Sequence, residues 1–277
     1  MTIQQFIDQA RYTLAAASPT PRLDAEVLLL HVCGLTRTAL VTRAHETLND
    51  AQVRRLNELL ARRARGEPLA YLTGGREFWS LPLQVTPDVL IPRPETELLV
   101  EQALAHIPAH AARMIVDLGT GSGAVALAIA GERPDCRVIA TDQSERALAV
   151  ARANASQLNI VNVEFRLGEW FTPLAGLRFD VIVSNPPYVA EADPHLAEGD
   201  LRFEPRGALT SGPDGLDAIR IIAAAAPAHL HPGGWLLVEH GYDQAAAIRK
   251  LFGDAGFSQV RHYRDLAGHE RITTGQI

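Results

Sequence analysis

Apolar positions in the first seventy-five residues recur at helical spacing and never settle into the two-residue alternation of a strand. "IQQFIDQARYTLAAA" has this spacing and is broken by "SPTP". Pro21, with Asp24 and Glu26 close behind it, suits the start of a second helix, "RLDAEVLLLHVCG", ending at Gly34. A short helix is expected around Thr36–His45. Asp50 is expected to cap a further one, "AQVRRLNELLARRARG", which stops at Gly66 and Pro68. No strand pattern begins before Tyr71, so residues 1–75 predict a small all-α bundle. β-formers interrupted by Pro82 and Pro87 follow in "REFWSLPLQVTPDVLIPR" and predict a β-hairpin linker over residues 76–93, with Phe78 and Trp79 packing onto a core.

The pattern then changes. "PETELLVEQALAHI" reads as a helix with Pro94 at its first position and Glu95 and Glu97 in its first turn. From Met114 onward, strand and helix alternate. "RMIVDLG", "CRVIATD", "VEFRLGEW", "FDVIVSN" and "GGWLLVEH" read as strands, with "GAVALAIAGERP", "SERALAVARANASQLN", "GLDAIRIIAAAAPAHL" and "DQAAAIRKLFGDAG" as helices. The tail "FSQVRHYRDLAGHERITTGQI" supplies two last strands. The fold class expected over residues 94–277 is α/β, a seven-stranded Rossmann-like domain. Its sheet is mostly parallel and finishes in a C-terminal antiparallel hairpin. In the order 3-2-1-4 the fourth strand lies beside the first, and ligands sit where their carboxyl ends meet.

Composition narrows the classes. The chain of 277 residues is 47% apolar and 21% charged, ordinary for a globular protein. No apolar run approaches the roughly 18 residues of a membrane span. "MTIQQFIDQA" has neither a basic n-region nor an apolar h-region. Cys33 and Cys136 suggest no disulfide framework, and a cytoplasmic monomer is expected. The ten histidines form no HExxH and pair with no CxxC, so no metal site is expected. Net charge is −6, and residues 81–277 carry sixteen basic against twenty-four acidic side chains, which argues against a stable grip on nucleic acid. Residues 1–80 carry ten arginines against eight acidic residues. Arg54, Arg55, Arg62, Arg63 and Arg65 read either as a solvated helix face or as a surface for an acidic partner.

Two stretches carry chemistry. "VDLGTGSGAVALAIA" sets Gly119, Thr120, Gly121, Ser122 and Gly123 between a strand and its helix, where glycine lets the backbone approach a ligand beside free helix N–H groups. Asp142 closes the next strand, placed for the hydroxyls of a ribose. An adenosine-containing cofactor is expected. NAD would need a second nucleotide-binding half, whereas S-adenosylmethionine needs one nucleoside pocket and a methyl acceptor. The second stretch, "SNPPY", ends the fourth strand with Asn185, Pro186, Pro187 and Tyr188. A planar nitrogen is a poor nucleophile because its lone pair is delocalised. The Asn185 side-chain oxygen and the Pro186 carbonyl could accept its two N–H bonds, with the prolines fixing the carbonyl and Tyr188 packing flat on the planar group.

At this point the chain resembles a known family. Asn-Pro-Pro-Tyr after the fourth strand marks S-adenosylmethionine-dependent methyltransferases acting on planar NH2 groups. Together with "LIPRPETELLV", "DLGTGSGAVALAIA", "ATDQSERAL", "FEPRGAL", "GPDGLDAIR" and "DLAGHER", the chain is similar to the HemK-type release-factor glutamine methyltransferases over nearly its whole length. The resemblance implies S-adenosyl-L-methionine as cofactor and N5-methylation of the glutamine in the Gly-Gly-Gln motif of class-1 peptide chain release factors. It also implies that Trp170 packs near the adenine; the family usually has Asp where this sequence has Glu169. The alternatives are a glutamine methyltransferase acting on a ribosomal protein, an adenine-N6 DNA methyltransferase, and an adaptor that only binds cofactor. Glu204 and Glu239 lie near the expected site without an assigned role. The helical region is expected to dock the protein substrate.

Overall fold

Helical periodicity at the start of the chain becomes five helices in the computed structural model, which describes residues 1–277. They are α1 (Ile3–Thr13), α2 (Pro21–Cys33), α3 (Arg37–Thr42), α4 (Asp50–Ala64) and α5 (Leu69–Thr73). Two compact units divide the chain: Met1–Gly75 with His195–Phe203, and Arg76–Pro194 with Glu204–Ile277.

In the helical unit, Phe6, Leu28, Leu29, Leu56 and Leu59 form a fully buried core. Its helices begin with reciprocal caps. Thr2 Oγ1 accepts from the Gln5 N–H at 3.2 Å, and Gln5 Oε1 accepts from the Thr2 N–H at 2.8 Å. Asn49 and Gln52 repeat the device on α4, so the cap is Asn49, and Asp50 is the first helical residue. The five arginines expected on one face divide. Arg63 is buried and donates to Asp24 at 2.6 Å and to Asp200 at 3.1 Å. Arg62 pairs with Glu67 through Nε and Nη2, one to each carboxylate oxygen. Arg54, Arg55 and Arg65 are exposed, with Arg55 paired to Glu58. Helical period sends position 63 inward with Leu56, Leu59 and Leu60, which a count of charges cannot show.

The other unit opens with a hairpin, β1 (Gly75–Phe78) and β2 (Leu81–Gln84), shorter than the 76–93 expected; at its end the Gln84 N–H donates to Asn154 Oδ1 at 2.7 Å. Trp79 and Ser80 form its turn, both with positive φ (51° and 58°). The Trp79 N–H donates to Glu97 Oε1 and its indole to Glu132 Oε1, while Phe78 enters the core. Pro94–Thr96 is a single 3₁₀ turn that leads into α6 (Glu97–His106).

Strands β3 (Met114–Leu118), β4 (Arg137–Asp142), β5 (Val163–Leu167), β6 (Phe179–Ser184), β7 (Leu230–Glu239), β8 (Ser258–Arg264) and β9 (Glu270–Gln276) form one sheet in the order β5-β4-β3-β6-β7-β9-β8. All neighbours are parallel except β7–β9 and β9–β8. The intervening helices are α7 (Ala124–Glu132), α8 (Glu145–Leu158), α9 (Asp217–His229) and α10 (Ala245–Asp254). Two-residue alternation splits the strands between two cores. Ile115, Val181, Val183 and Leu237 face one; Val116, Leu118, Ile182, Leu236 and Val238 face the other. The sequence pattern starts the fifth strand at Gly233, but β7 begins at Leu230, opposite Phe179, with a bulge before Trp235 meets Val181.

Candidate active site

β3 and β6 are adjacent and parallel, with Leu118 opposite Ser184. The Ser184 hydroxyl donates to the Leu118 carbonyl at 2.7 Å, locking the two strand ends together. The glycine loop therefore starts beside Asn185, with β4 and β5 on one side and β6 and β7 on the other, at the switch point of the sheet.

A cavity opens there. It is lined by Gly119, Thr120, Gly121, Ser122, Asp142, Trp170, Asn185 and Pro187, all anticipated from sequence. Asp88, Pro92, Arg93, Thr96, Asp117, Gln143, Glu169 and Gly207 also line it. Gly123, Pro186 and Tyr188 stand outside this lining. Gly123 serves packing instead: with φ of +85°, a Cβ there would meet Leu127 at 3.1 Å and Ala151 at 3.2 Å. At Gly121, φ is +56° and the space around a Cβ is open, so this residue is required by its backbone conformation.

Asp142 ends β4, and its carboxylate orders the loop. Oδ2 accepts from the Gly121 N–H and Oδ1 from the Ser144 N–H, each at 2.9 Å. Burial pushes its pKa up and these two bonds pull it back. Asp117, at the cavity floor, is 2% exposed. It accepts from Thr120 Oγ1 at 2.6 Å, yet burial pushes it up to about 7, with Asp142 adding to the rise. Trp170 has a φ of +45°, a costly conformation for an aromatic residue, and its ring edge lies 3.5 Å from where a Gly119 Cβ would stand.

The Asn-Pro-Pro-Tyr turn is braced from several directions. Asn185 Nδ2 donates to Thr96 Oγ1 at 3.2 Å. The Tyr188 hydroxyl donates to Glu239 Oε1 at 3.2 Å, and the Tyr188 carbonyl accepts from Gln244 Nε2 at 3.0 Å. Gly215, φ +76°, passes so close that a Cβ would lie 2.2 Å from that carbonyl. Val189 exchanges backbone bonds with Leu209 and Ser211. Thus "FEPRGAL" and "GPDGLDAIR" converge on the turn. Glu204, fully buried, accepts from the Ile91 N–H at 3.2 Å and from Arg93 at 2.5 Å, fastening "LIPRPE" to "FEPRGAL". Burial, followed by the nearby Glu239 charge, pushes the Tyr188 pKa up, so the phenol stays protonated.

Glu239 ends β7 and is fully buried. Burial pushes it up to about 7, against the pull of Thr96 and Tyr188. Sequence placed Glu239 at this end of the sheet but could not supply its partners, which lie 51 and 143 residues away along the chain.

Known proteins resemble the chain throughout its length. A PrmC N-terminal domain model matches residues 5–74, and a methyltransferase small domain model matches residues 95–200. A Burkholderia pseudomallei release factor glutamine methyltransferase is 56% identical, covering 95% of each chain. The Escherichia coli protein of the same name is 50% identical over 100% of this chain and 99% of its own. Among solved structures, a Pyrococcus furiosus methyltransferase shares the fold (TM-score 0.54, 21% identity, 71% of this chain and 88% of that one). So does a Thermus thermophilus 16S rRNA methyltransferase solved with AdoMet and guanosine (TM-score 0.54, 17% identity, 73% and 49%). With half or more of its residues identical to these relatives from end to end, the chain belongs to the release factor glutamine methyltransferase family.

Proposed function

We infer that the protein transfers a methyl group from S-adenosylmethionine to the side-chain amide nitrogen, N5, of the glutamine in the Gly-Gly-Gln motif of class-1 peptide chain release factors. One observation carries this reading. Asn185 lines the same cavity as Gly119–Ser122 and Asp142, and its Nδ2 is already committed to Thr96. Oδ1 is the atom left to accept a hydrogen bond from an incoming N–H.

The cavity fits the cofactor. Each Asp142 oxygen has accepted one backbone N–H and keeps a lone pair for a ribose hydroxyl. The open space at Gly121 admits a ligand against the loop, and the Trp170 indole is held beside Gly119 for the adenine. When bound, S-adenosylmethionine supplies an electrophilic sulfonium methyl. The chain's own residues position the acceptor: Asn185 Oδ1 and the Pro186 carbonyl take the two amide N–H bonds, and Tyr188, its hydroxyl tethered to Glu239, offers a fixed ring to the amide plane. Holding the nitrogen in line is the main source of rate, because a delocalised amide gains most from being placed. The helical unit docks the release factor away from its glutamine loop, using the exposed charges of Arg54, Arg55 and Arg65. Such a protein works where translation terminates, in the cytoplasm.

Purified enzyme, labelled S-adenosylmethionine and intact release factor provide the test. The expected outcome is one methyl on the Gly-Gly-Gln glutamine, with none on ribosomal proteins or adenine in DNA. Methylation of either control in its place overturns the assignment.

A further inference from the structure

Behind the Asn-Pro-Pro-Tyr turn, two side chains that touch no substrate in the methyl-transfer reading, Thr96 and Glu239, meet two that do, Asn185 and Tyr188. The hydrogen bonds among them have a direction. Asn185 Nδ2 donates to Thr96 Oγ1. Thr96, having accepted, has one proton of its own to place, and its side chain favours the ionised form of the nearby Glu239 carboxylate, the acceptor that proton can turn to. Tyr188 donates to Oε1 of that carboxylate, while Oε2 is buried without a hydrogen-bond partner. An ionised carboxylate only accepts, whereas a threonine hydroxyl or an asparagine amide can serve in either sense. The direction of the chain is therefore set at its Glu239 end.

We propose that Glu239 is a positioning residue for methyl transfer: as an acceptor-only terminus it orients Thr96, and through Thr96 the Asn185 amide, so that Oδ1 and not Nδ2 is presented to the acceptor nitrogen, while it tethers Tyr188 of the same turn. The proposal rests on the methyl-transfer reading above. Its physical motive is the cost of the arrangement. Glu239 is fully buried, and no arginine or lysine forms an ion pair with it. A glutamine would fill the volume without the desolvation cost of a charge. What glutamine lacks is acceptor-only character: its NH2 could donate to Thr96, freeing the Thr96 proton to point at Asn185. The amide would then turn over and present Nδ2 to a nitrogen that itself donates.

The charged groups around Glu239 bear on its ionisation. Glu95, on the 3₁₀ turn with Thr96, raises its pKa; Arg271, on β9, lowers it; Tyr188, in the turn that follows β6, stabilises the ionised form by donating. Protonation of Glu239 removes the fixed direction, so the transfer rate should climb with pH as the carboxylate ionises.

Single-turnover methylation of release factor, measured from about pH 5.5 to about pH 8.5, tests this. Wild type is expected to show an acidic limb. Glu239→Gln should abolish that limb and lower the plateau by about tenfold or more, with cofactor affinity changed by less than about twofold. Thr96→Val, which cuts the link and leaves Glu239 in place, should lose a similar factor, and Thr96→Ser should restore it. That pair keeps the test intact if Glu239→Gln does not fold. The Asn185 side-chain amide NMR signal in apo-protein gives a readout besides activity: it should titrate in wild type and stop titrating in Glu239→Gln. A Glu239→Gln enzyme with the full rate and limb, equal rates for Thr96→Val and Thr96→Ser, or an Asn185 signal indifferent to both pH and Glu239 would each overturn the proposal. Absence of methylation by wild type itself would instead overturn the functional reading, and the NMR titration would still decide the positioning role.

Discussion

The two units bury charge in opposite ways. In the helical unit, Arg63 is sealed among helices with Asp24 and Asp200 as partners. Burial alone would lower its pKa, and the two carboxylates outweigh that, so the guanidinium is held more firmly charged than usual. In the other unit, Asp117 and Glu239 are buried with hydroxyl partners and no paired cation, and both rise to about 7. A neutralised pair acts as a fastener, tying α2 and α4 to the 195–203 segment. A carboxyl left without a counter-charge is a standing cost, and here both examples sit at or behind the cavity. The contrast separates charge that holds the structure from charge available to a site.

The largest effect should come from breaking the fastener. Arg63→Met leaves Asp24 buried without its cation and should cost about 3–5 kcal/mol, read as a lower urea midpoint. The surviving enzyme's cofactor affinity should be little changed.

The carboxyl side of the comparison is sharpened by pH. Burial pushes Asp117 up to about 7 from the ordinary carboxylate value of 3.8. Its contribution to stability is complete below the unfolded value and is lost as pH rises through about 7. Wild type should therefore lose stability across that window, and Asp117→Asn, which cannot ionise, should lose a few kcal/mol less. Chemical denaturation at acidic and mildly alkaline pH measures the difference; parallel curves for the two proteins would contradict it.

Next come the cavity residues, which should separate binding from turnover. Asn185→Ala should slow single-turnover methylation by about 10²-fold while leaving cofactor affinity close to wild type. Asp142→Ala should do the reverse: it removes the acceptors for ribose and releases the Gly121 and Ser144 N–H groups, weakening cofactor binding by about 1.5–3 kcal/mol in calorimetry.

Smallest is the effect of surface charge. Reversing Arg54, Arg55 and Arg65 together should raise KM for intact release factor by a few-fold, more at low salt, with kcat and stability preserved. The same reversal extended to Arg63 should collapse stability as well, because that arginine belongs to the core.

Sequence by itself determined the elements, the seven-stranded sheet with its reversed end, and the cavity's first wall. Helical and two-residue periods are local, and each was readable within a dozen residues, as were the glycine turn, the acid closing β4 and the rigid Pro186-Pro187 pair. Tertiary structure alone decided which polar groups answer one another. Thr96 and Asn185 are 89 residues apart, and Tyr188 and Glu239 are 51 apart, so neither bond leaves a periodic trace. Five arginines looked alike in sequence, and burial alone distinguished Arg63, because a helix stripe is set by what packs against it. Segment 195–203 reads as part of the α/β region by position, yet it belongs with the helical unit, where Asp200 reaches Arg63 across 137 residues. A sequence records each side chain's chemistry, but partner and solvent exposure, which turn that chemistry into a fastener or a site, are properties of the folded chain.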